Sequence, residues 1–243
     1  MGNKKLDKYG NDNDQEAVSD VYFFFPLSDL LLPLLHKMGF KPNGITLLST
    51  VFTIVGIYGF YYKKMKICYL FYFLGYLMDC IDGRMARRYN QGSTLGMLLD
   101  TVSDNITNLP LMMILICKTI QSYKTPNFYH RGVLLLLVLV ITYIFSAVFG
   151  MNEAIQTYKK TKDDNFYLDK KKFLKKENCD NTLIGQIFLF IYKTAYNSYR
   201  KLFPNKINKE NLSIIENRLL KLKEFGPGNY NLFMMFIMYQ FSH

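Results

Sequence analysis

Between residues 45 and 150 the chain passes four times through long apolar stretches, and this pattern excludes most ways a chain can fold. Residues 45–62, ITLLSTVFTIVGIYGFYY, carry no charge. Residues 67–83 form a second run that ends in two acids. Residues 94–117 form a third that contains two more, and residues 131–150 a fourth with no charge after Arg131. About 20 apolar residues in a helix cross roughly 30 Å of hydrocarbon. One such run could be the core helix of a soluble protein, but four in succession read as a chain that crosses a bilayer repeatedly. Lipid offers no partners for backbone N–H and C=O groups, so each crossing must be helical. The fold class expected is all-α, a polytopic transmembrane helix bundle.

The flanks differ from this core. Residues 1–22 form a polar tail expected to be disordered, and 23–243 the membrane domain. Nothing at the start resembles a cleavable signal. Gly2 invites a myristoylation reading, but Leu6 stands where that motif needs Ser or Thr. Residues 23–39 are apolar but interrupted by Pro26, Asp29 and Pro33, which suits an amphipathic helix lying at the interface better than a span. KPNG at 41–44 then marks a turn and a helix start. From residue 155 to 226 the chain is rich in lysine and arginine. Its one apolar stretch, 183–192, is short for a crossing. If 183–203 spans, the basic blocks on its two sides face opposite compartments. If it lies on the surface, both stay in the cytosol, as the positive-inside rule favours. A last apolar run fills 230–242.

The formal net charge of +11 is compatible with nucleic acid, an anionic membrane surface or an anionic substrate. The apolar runs favour the last two, and no nucleic-acid partner is expected. Cys68, Cys80, Cys117 and Cys179 have neither metal-knuckle nor redox-pair spacing, and His36, His130 and His243 are scattered. A zinc site and a disulfide framework are not expected.

The chemistry concentrates where the second and third runs meet. Asp79, Asp82, Asp100 and Asp104 fall within DCIDGRMARRYNQGSTLGMLLDTVSDN, residues 79–105. Ionisable groups at membrane depth are costly and functional by default. At about 100° per residue, Asp79, Asp82, Gly83 and Ala86 share one helix face, and Gly96, Asp100 and Asp104 share another. Packed as an antiparallel pair, the two helices would aim all four acids at one another. Carboxylates that close repel unless a cation joins them. Oxygen ligands without Cys or His select Mg²⁺, Mn²⁺ or Ca²⁺. Gly83, Ala86 and Gly96 leave room for a ligand or for close helix approach. Arg84, Arg87 and Arg88 add positive charge suited to phosphate. Taken singly, a D-x-x-D pair is ordinarily a solvated cap, small residues serve packing, and arginines flank a membrane. The joint pattern is what points to a site.

The string D-x2-D-G-x2-A-R-x8-G-x3-D-x3-D, formed by Asp79, Asp82, Gly83, Ala86, Arg87, Gly96, Asp100 and Asp104, resembles the signature of the CDP-alcohol phosphotransferases at every fixed position. The interfacial helix and the KPNGIT start of the first span add softer support. The resemblance implies six transmembrane helices after an N-terminal interfacial helix, often in dimers. It implies a CDP-alcohol donor, such as CDP-diacylglycerol, a hydroxyl acceptor and release of CMP, at a site facing the cytosol. It also implies Mg²⁺ or Mn²⁺ held by Asp79, Asp82 and Asp100, with Asp104 completing the site and acting as base. Gly83, Ala86 and Gly96 would border the CDP group, and Arg87 would meet phosphate or hold the site together.

Two features depart from that pattern. Four spans and a short fifth run leave the family's sixth helix without a counterpart, the reading expected of a truncated or inactive member. Asn105 follows the last acid, where Lys is common in glycerophosphate-using and Arg in inositol-using members. LLDTVSDN otherwise leans to the inositol type. Prenyltransferases of membranes also use Asp and Mg²⁺ but need no D-G-x2-A-R element. A carrier would spread its acids over several spans instead of one turn.

Overall fold

The computed structural model describes residues 17–202 and 206–242, and every regular element among them is helical. Nine α-helices follow in order: α1 Phe25–Lys37, α2 Pro42–Tyr61, α3 Met65–Arg88, α4 Thr94–Gln121, α5 Asn127–Thr161, α6 Phe166–Lys176, α7 Leu183–Leu202, α8 Leu212–Lys221 and α9 Pro227–Ser242. They fall into two compact units. Among the described residues, one contains 18–140 and 228–242, the other Ala17, 141–202 and 206–227. Helix α5 runs from the first into the second.

The expected tail lies, for residues 1–16, outside the described residues; from Val18 the chain is already helical, with a π-helical turn at Asp20–Phe24 leading into α1. That early start has a reason. Asp20 is fully buried and accepts hydrogen bonds from the Tyr76 hydroxyl (2.7 Å) and from the Gly228 N–H (3.1 Å). It thereby joins the start of α1, the middle of α3 and the first turn of α9. The apolar run at 230–242 is therefore a packed helix. α9 buries Tyr230, Met234, Ile237, Met238 and Phe241 along one stripe, and the Met238 sulfur lies 3.6 Å from that of Cys68 on α3.

Helix α2 is the spine of this unit and packs along both α3 and α4. Lys41 is extended (φ −104°, ψ 156°) and Pro42 opens the helix, the arrangement that proline's fixed φ favours at the first turn. Glycines set how close α2 and α3 come. A Cβ built on Gly56 would stand 2.7 Å from the Tyr72 amide nitrogen, and one on Gly59 2.7 Å from that of Cys68. Gly75 returns the arrangement from α3, where a Cβ would meet Thr53. Small residues at such crossings let helices gain dispersion contacts that lipid alone does not supply.

Exposure in this unit is inverted relative to a soluble protein. Leu47, Val51, Ile54 and Tyr58 on α2, Leu109, Met113, Ile116 and Ile120 on α4, and Val133, Leu136, Leu137 and Val140 on α5 are all exposed. Each set keeps to the i, i+3, i+4, i+7 spacing of one helix face, so each forms a stripe along its helix. Helices α2 and α5 are long and apolar enough to cross a membrane by length and composition. Helices α3 and α4 match them in length but carry the site's charged and polar residues. At 35 residues α5 is about 50 Å long, well beyond the hydrocarbon thickness of roughly 30 Å.

The second unit holds the basic segment. Phe166 of α6 inserts among Tyr192, Tyr196 and Tyr199 of α7, with ring centroids 5.3–6.4 Å apart. Gly150 lets α5 approach α7, since a Cβ there would sit 2.7 Å from the Ala195 carbonyl. Buried Asp164 is satisfied by Arg200 (3.3 Å) and by the Ile207 N–H (3.1 Å). The short apolar run expected at 183–192 is part of one continuous 20-residue helix, α7, whose later turns carry Lys193, Arg200 and Lys201.

The glycine contacts make a stability prediction. Gly56→Leu places a branched side chain where the α3 backbone lies, and overpacking of this kind costs about 1–3 kcal/mol. The variant should melt below wild type in detergent, whereas Gly44→Ala, with nothing within 4 Å of its Cβ, should not. Equal melting of Gly56→Leu and wild type would contradict the α2–α3 packing.

Candidate active site

Helix α3 delivers Asp79 and Asp82 in its last turns, and α4 delivers Asp100 in its second. One carboxylate oxygen from each lies within 4.8 Å of the other two. The loop between the helices makes this possible. Asn90 adopts a left-handed conformation (φ +52°), which asparagine tolerates better than most residues, and turns the chain after α3. Ser93 then caps α4, its hydroxyl oxygen accepting from the Gly96 N–H at 3.0 Å.

Asp82 is the buried member, 4% exposed, and α2 holds it: the Thr46 hydroxyl donates to Asp82 Oδ2 at 2.6 Å. Three carboxylates at this separation repel strongly wherever water is scarce. The group contains oxygen donors only, which is the ligand set of a hard divalent cation. Spacing, chemistry and partial burial all fit such an ion, bound through Asp79, Asp82 and Asp100.

Asp104 is placed differently. It lies one turn beyond Asp100 on α4, is exposed, and stands outside the three-carboxylate group. Its backbone carbonyl accepts from the Asn108 side chain at 2.7 Å. Asn105 turns back on its own helix, donating to the Thr101 carbonyl at 2.8 Å.

The three arginines separate. Arg84 makes a two-pronged ion pair with Asp29 of α1, with Nη2 at 2.6 Å and Nε at 3.2 Å, and lies over the Phe25 ring. It ties α1 to α3, which corrects the expectation that it adds charge beside a phosphate. The Asp29 that breaks the apolar run at 23–39 is its counter-ion. Arg87 folds back over the preceding turn, its Nη1 standing 3.2 Å from where a Gly83 Cβ would be. Arg87 and Arg88 are both exposed. Ala86 is partly buried on the same helix. Gly96 faces Asn43 of α2, whose Oδ1 would be 2.6 Å from a Cβ there. The space beside Gly83 and Gly96 thus accommodates the chain's own Arg87 and Asn43.

Thr46 and Asn43 are the site residues that motif reading passes over. Both belong to KPNGIT, and a threonine one turn into an otherwise apolar span was the available signal, since a buried hydroxyl needs a partner.

With the geometry in place, comparison with known proteins becomes informative. The family model for CDP-alcohol phosphatidyltransferases matches residues 40–174. That stretch includes every motif residue and Thr46. Among similar proteins, the human CDP-diacylglycerol–inositol 3-phosphatidyltransferase is 38% identical over 78 residues, which is 30% of this chain and 34% of the relative. CDP-diacylglycerol–inositol 3-phosphatidyltransferase 1 of Arabidopsis thaliana is 46% identical over 44 residues, 18% of this chain and 19% of the relative. An archaetidylinositol phosphate synthase of Pyrococcus horikoshii is 26% identical over 78 residues, 32% of this chain and 42% of the relative. The chain therefore matches less than half the length of these relatives. No solved structure matches it. The motif, the convergence of its acids and the family match over more than half the sequence agree, and the chain belongs to the CDP-alcohol phosphatidyltransferase family.

Proposed function

We propose that this protein transfers a phosphatidyl or related phosphoalcohol group from a CDP-alcohol to an acceptor hydroxyl, releasing CMP. The observation that carries the reading is the convergence of Asp79, Asp82 and Asp100 within 4.8 Å, inside the sequence that the family shares. A divalent cation held there, Mg²⁺ or Mn²⁺, would neutralise the donor's diphosphate so that cytidylate can leave. Thr46 donates to Asp82 Oδ2 and so restrains that carboxylate beside the site. Arg87 is exposed at the same end and is suited to a phosphate oxygen. The acceptor oxygen attacks the donor phosphorus, the bond from that phosphorus to the CMP oxygen breaks, and the hydroxyl proton needs a base. We assign that role to Asp104, exposed one turn beyond the ligand group. The similar proteins named for inositol transfer favour an inositol-type acceptor. Asn105 places no cation after the last acid.

We also propose that α2, α3, α4 and α5 cross the membrane, with the motif turn and the whole basic segment on the cytosolic side. The exposed apolar stripes on α2, α4 and α5 support the crossing, and the lysines of 155–226 support the orientation. A homodimer is compatible with the family. Single cysteines at Lys171 and Lys209 in a cysteine-free background should label from the same side. Labelling from opposite sides would mean that α7 spans.

Transfer should be measured in proteoliposomes with labelled CDP-diacylglycerol and myo-inositol, then with other alcohols. Activity should vanish in EDTA and return with Mg²⁺ or Mn²⁺; full activity in EDTA would remove the metal from the account. Asp104→Asn should retain donor and metal binding while kcat falls by roughly 10² or more. Lost metal affinity with a rate rescued by high Mg²⁺ would make Asp104 a ligand instead. Tight donor binding without turnover on any acceptor would indicate a family member that has lost catalysis.

A further inference from the structure

Helix α6 has two chemically distinct faces. Phe166, Lys170 and Leu174 recur every four residues and face inward: Phe166 and Leu174 are fully buried, and Lys170 reaches Glu153 at 3.3 Å while lying over the Tyr192 ring. The opposite arc, from Lys171 through Lys175, Leu168 and Lys172 to Lys176, is exposed at every position. Leu168, 41% exposed, sits in the middle of four lysines. The helix's one acid, Asp169, lies at the edge of this arc and is partly buried. Helices that only solubilise usually alternate charges of both signs, whereas this arc carries four lysines and no acid. A basic arc around an apolar residue is the pattern that meets anionic headgroups, with lysines on the phosphates and the apolar side chain at the acyl boundary. Residues 162–165 alone separate α6 from α5, a helix long and apolar enough to cross a membrane. With α5 crossing the membrane as proposed above, the face is tethered to the bilayer through a short linker, and tethering lowers the intrinsic affinity it needs to engage it.

We propose that the outer face of α6, Leu168 with Lys171, Lys172, Lys175 and Lys176, docks onto anionic lipid headgroups of the membrane in which the protein resides. This rests on the membrane residence proposed above and not on the transfer reaction. The surface would make the basic segment's position depend on lipid charge, holding it down where anionic lipid is abundant and releasing it where it is scarce.

The test is amide hydrogen exchange on the full chain in nanodiscs of phosphatidylcholine alone or of phosphatidylcholine mixed with phosphatidylserine. Co-elution of protein with both kinds of disc establishes membrane residence separately, so its failure is distinguishable from failure of docking. Exchange across 166–176 should slow by roughly tenfold or more in the anionic discs and recover at high salt. Charge reversal of Lys171, Lys172, Lys175 and Lys176 to Glu should abolish the slowing, and their conversion to Gln should weaken it. Unchanged exchange across α7 in both variants would show that the unit still folds. Equal exchange of α6 in both discs would overturn the proposal, as would slowing that appears only on adding nucleic acid or an acidic protein.

Discussion

Three carboxylate oxygens brought within 4.8 Å of one another set the terms for the rest of this structure. Like charges at that distance in a poorly solvated place are costly, and they stay together only if the scaffold is stiff and something positive answers them. Stiffness comes from α2. Its glycines bring it onto the α3 backbone, its Thr46 holds Asp82, and its Asn43 reaches the first turn of α4 opposite Gly96. The positive answer does not come from Arg84, which is committed to Asp29. A divalent cation is the natural complement.

The same reasoning explains the outer connections. The turn before α1 and α1 itself are bound to α3, through Asp20 to Tyr76 and through Asp29 to Arg84. The stacking of His36 on Tyr89, with centroids 3.6 Å apart, adds a contact where α1 ends and the motif turn begins. Polar pairs of this kind, buried or partly buried, cost desolvation, but they fix register where apolar contacts alone would let helices slide. The interrupted helix ahead of the first long apolar run is thus a brace for the site-bearing helix.

Much of this was legible in the sequence because the signals were periodic or rigidly spaced. Four long apolar runs gave α2 to α5, and the acid spacing gave the faces of α3 and α4 that converge. What could not be read were pairings between distant elements. Asp29 looked like an interruption until Arg84 was seen beside it. Thr46 carries no motif signal, and its hydrogen bond to Asp82 marks it. The extent of α5 and the continuity of α7 were missed because charged residues end an apolar run without ending a helix. The apolar run at 230–242 carries no sign of its partner, yet α9 is fixed by Asp20, more than two hundred residues away in sequence. Asp104 shares a helix face with Asp100 by periodicity but stands outside the group, because one more helical turn displaces a residue by about 5.4 Å.

The central claim is that Asp79, Asp82 and Asp100 together hold a cation that meets the donor's phosphates. Pulsed EPR on the full chain in nanodiscs, with Mn²⁺ added before and after CDP-diacylglycerol, tests it most directly. A bound Mn²⁺ signal that acquires ³¹P coupling from the donor, and that is lost in Asp82→Asn, is the predicted result. Absence of bound Mn²⁺ in the wild type, or binding unchanged when Asp79, Asp82 and Asp100 are each replaced by Asn, would contradict it.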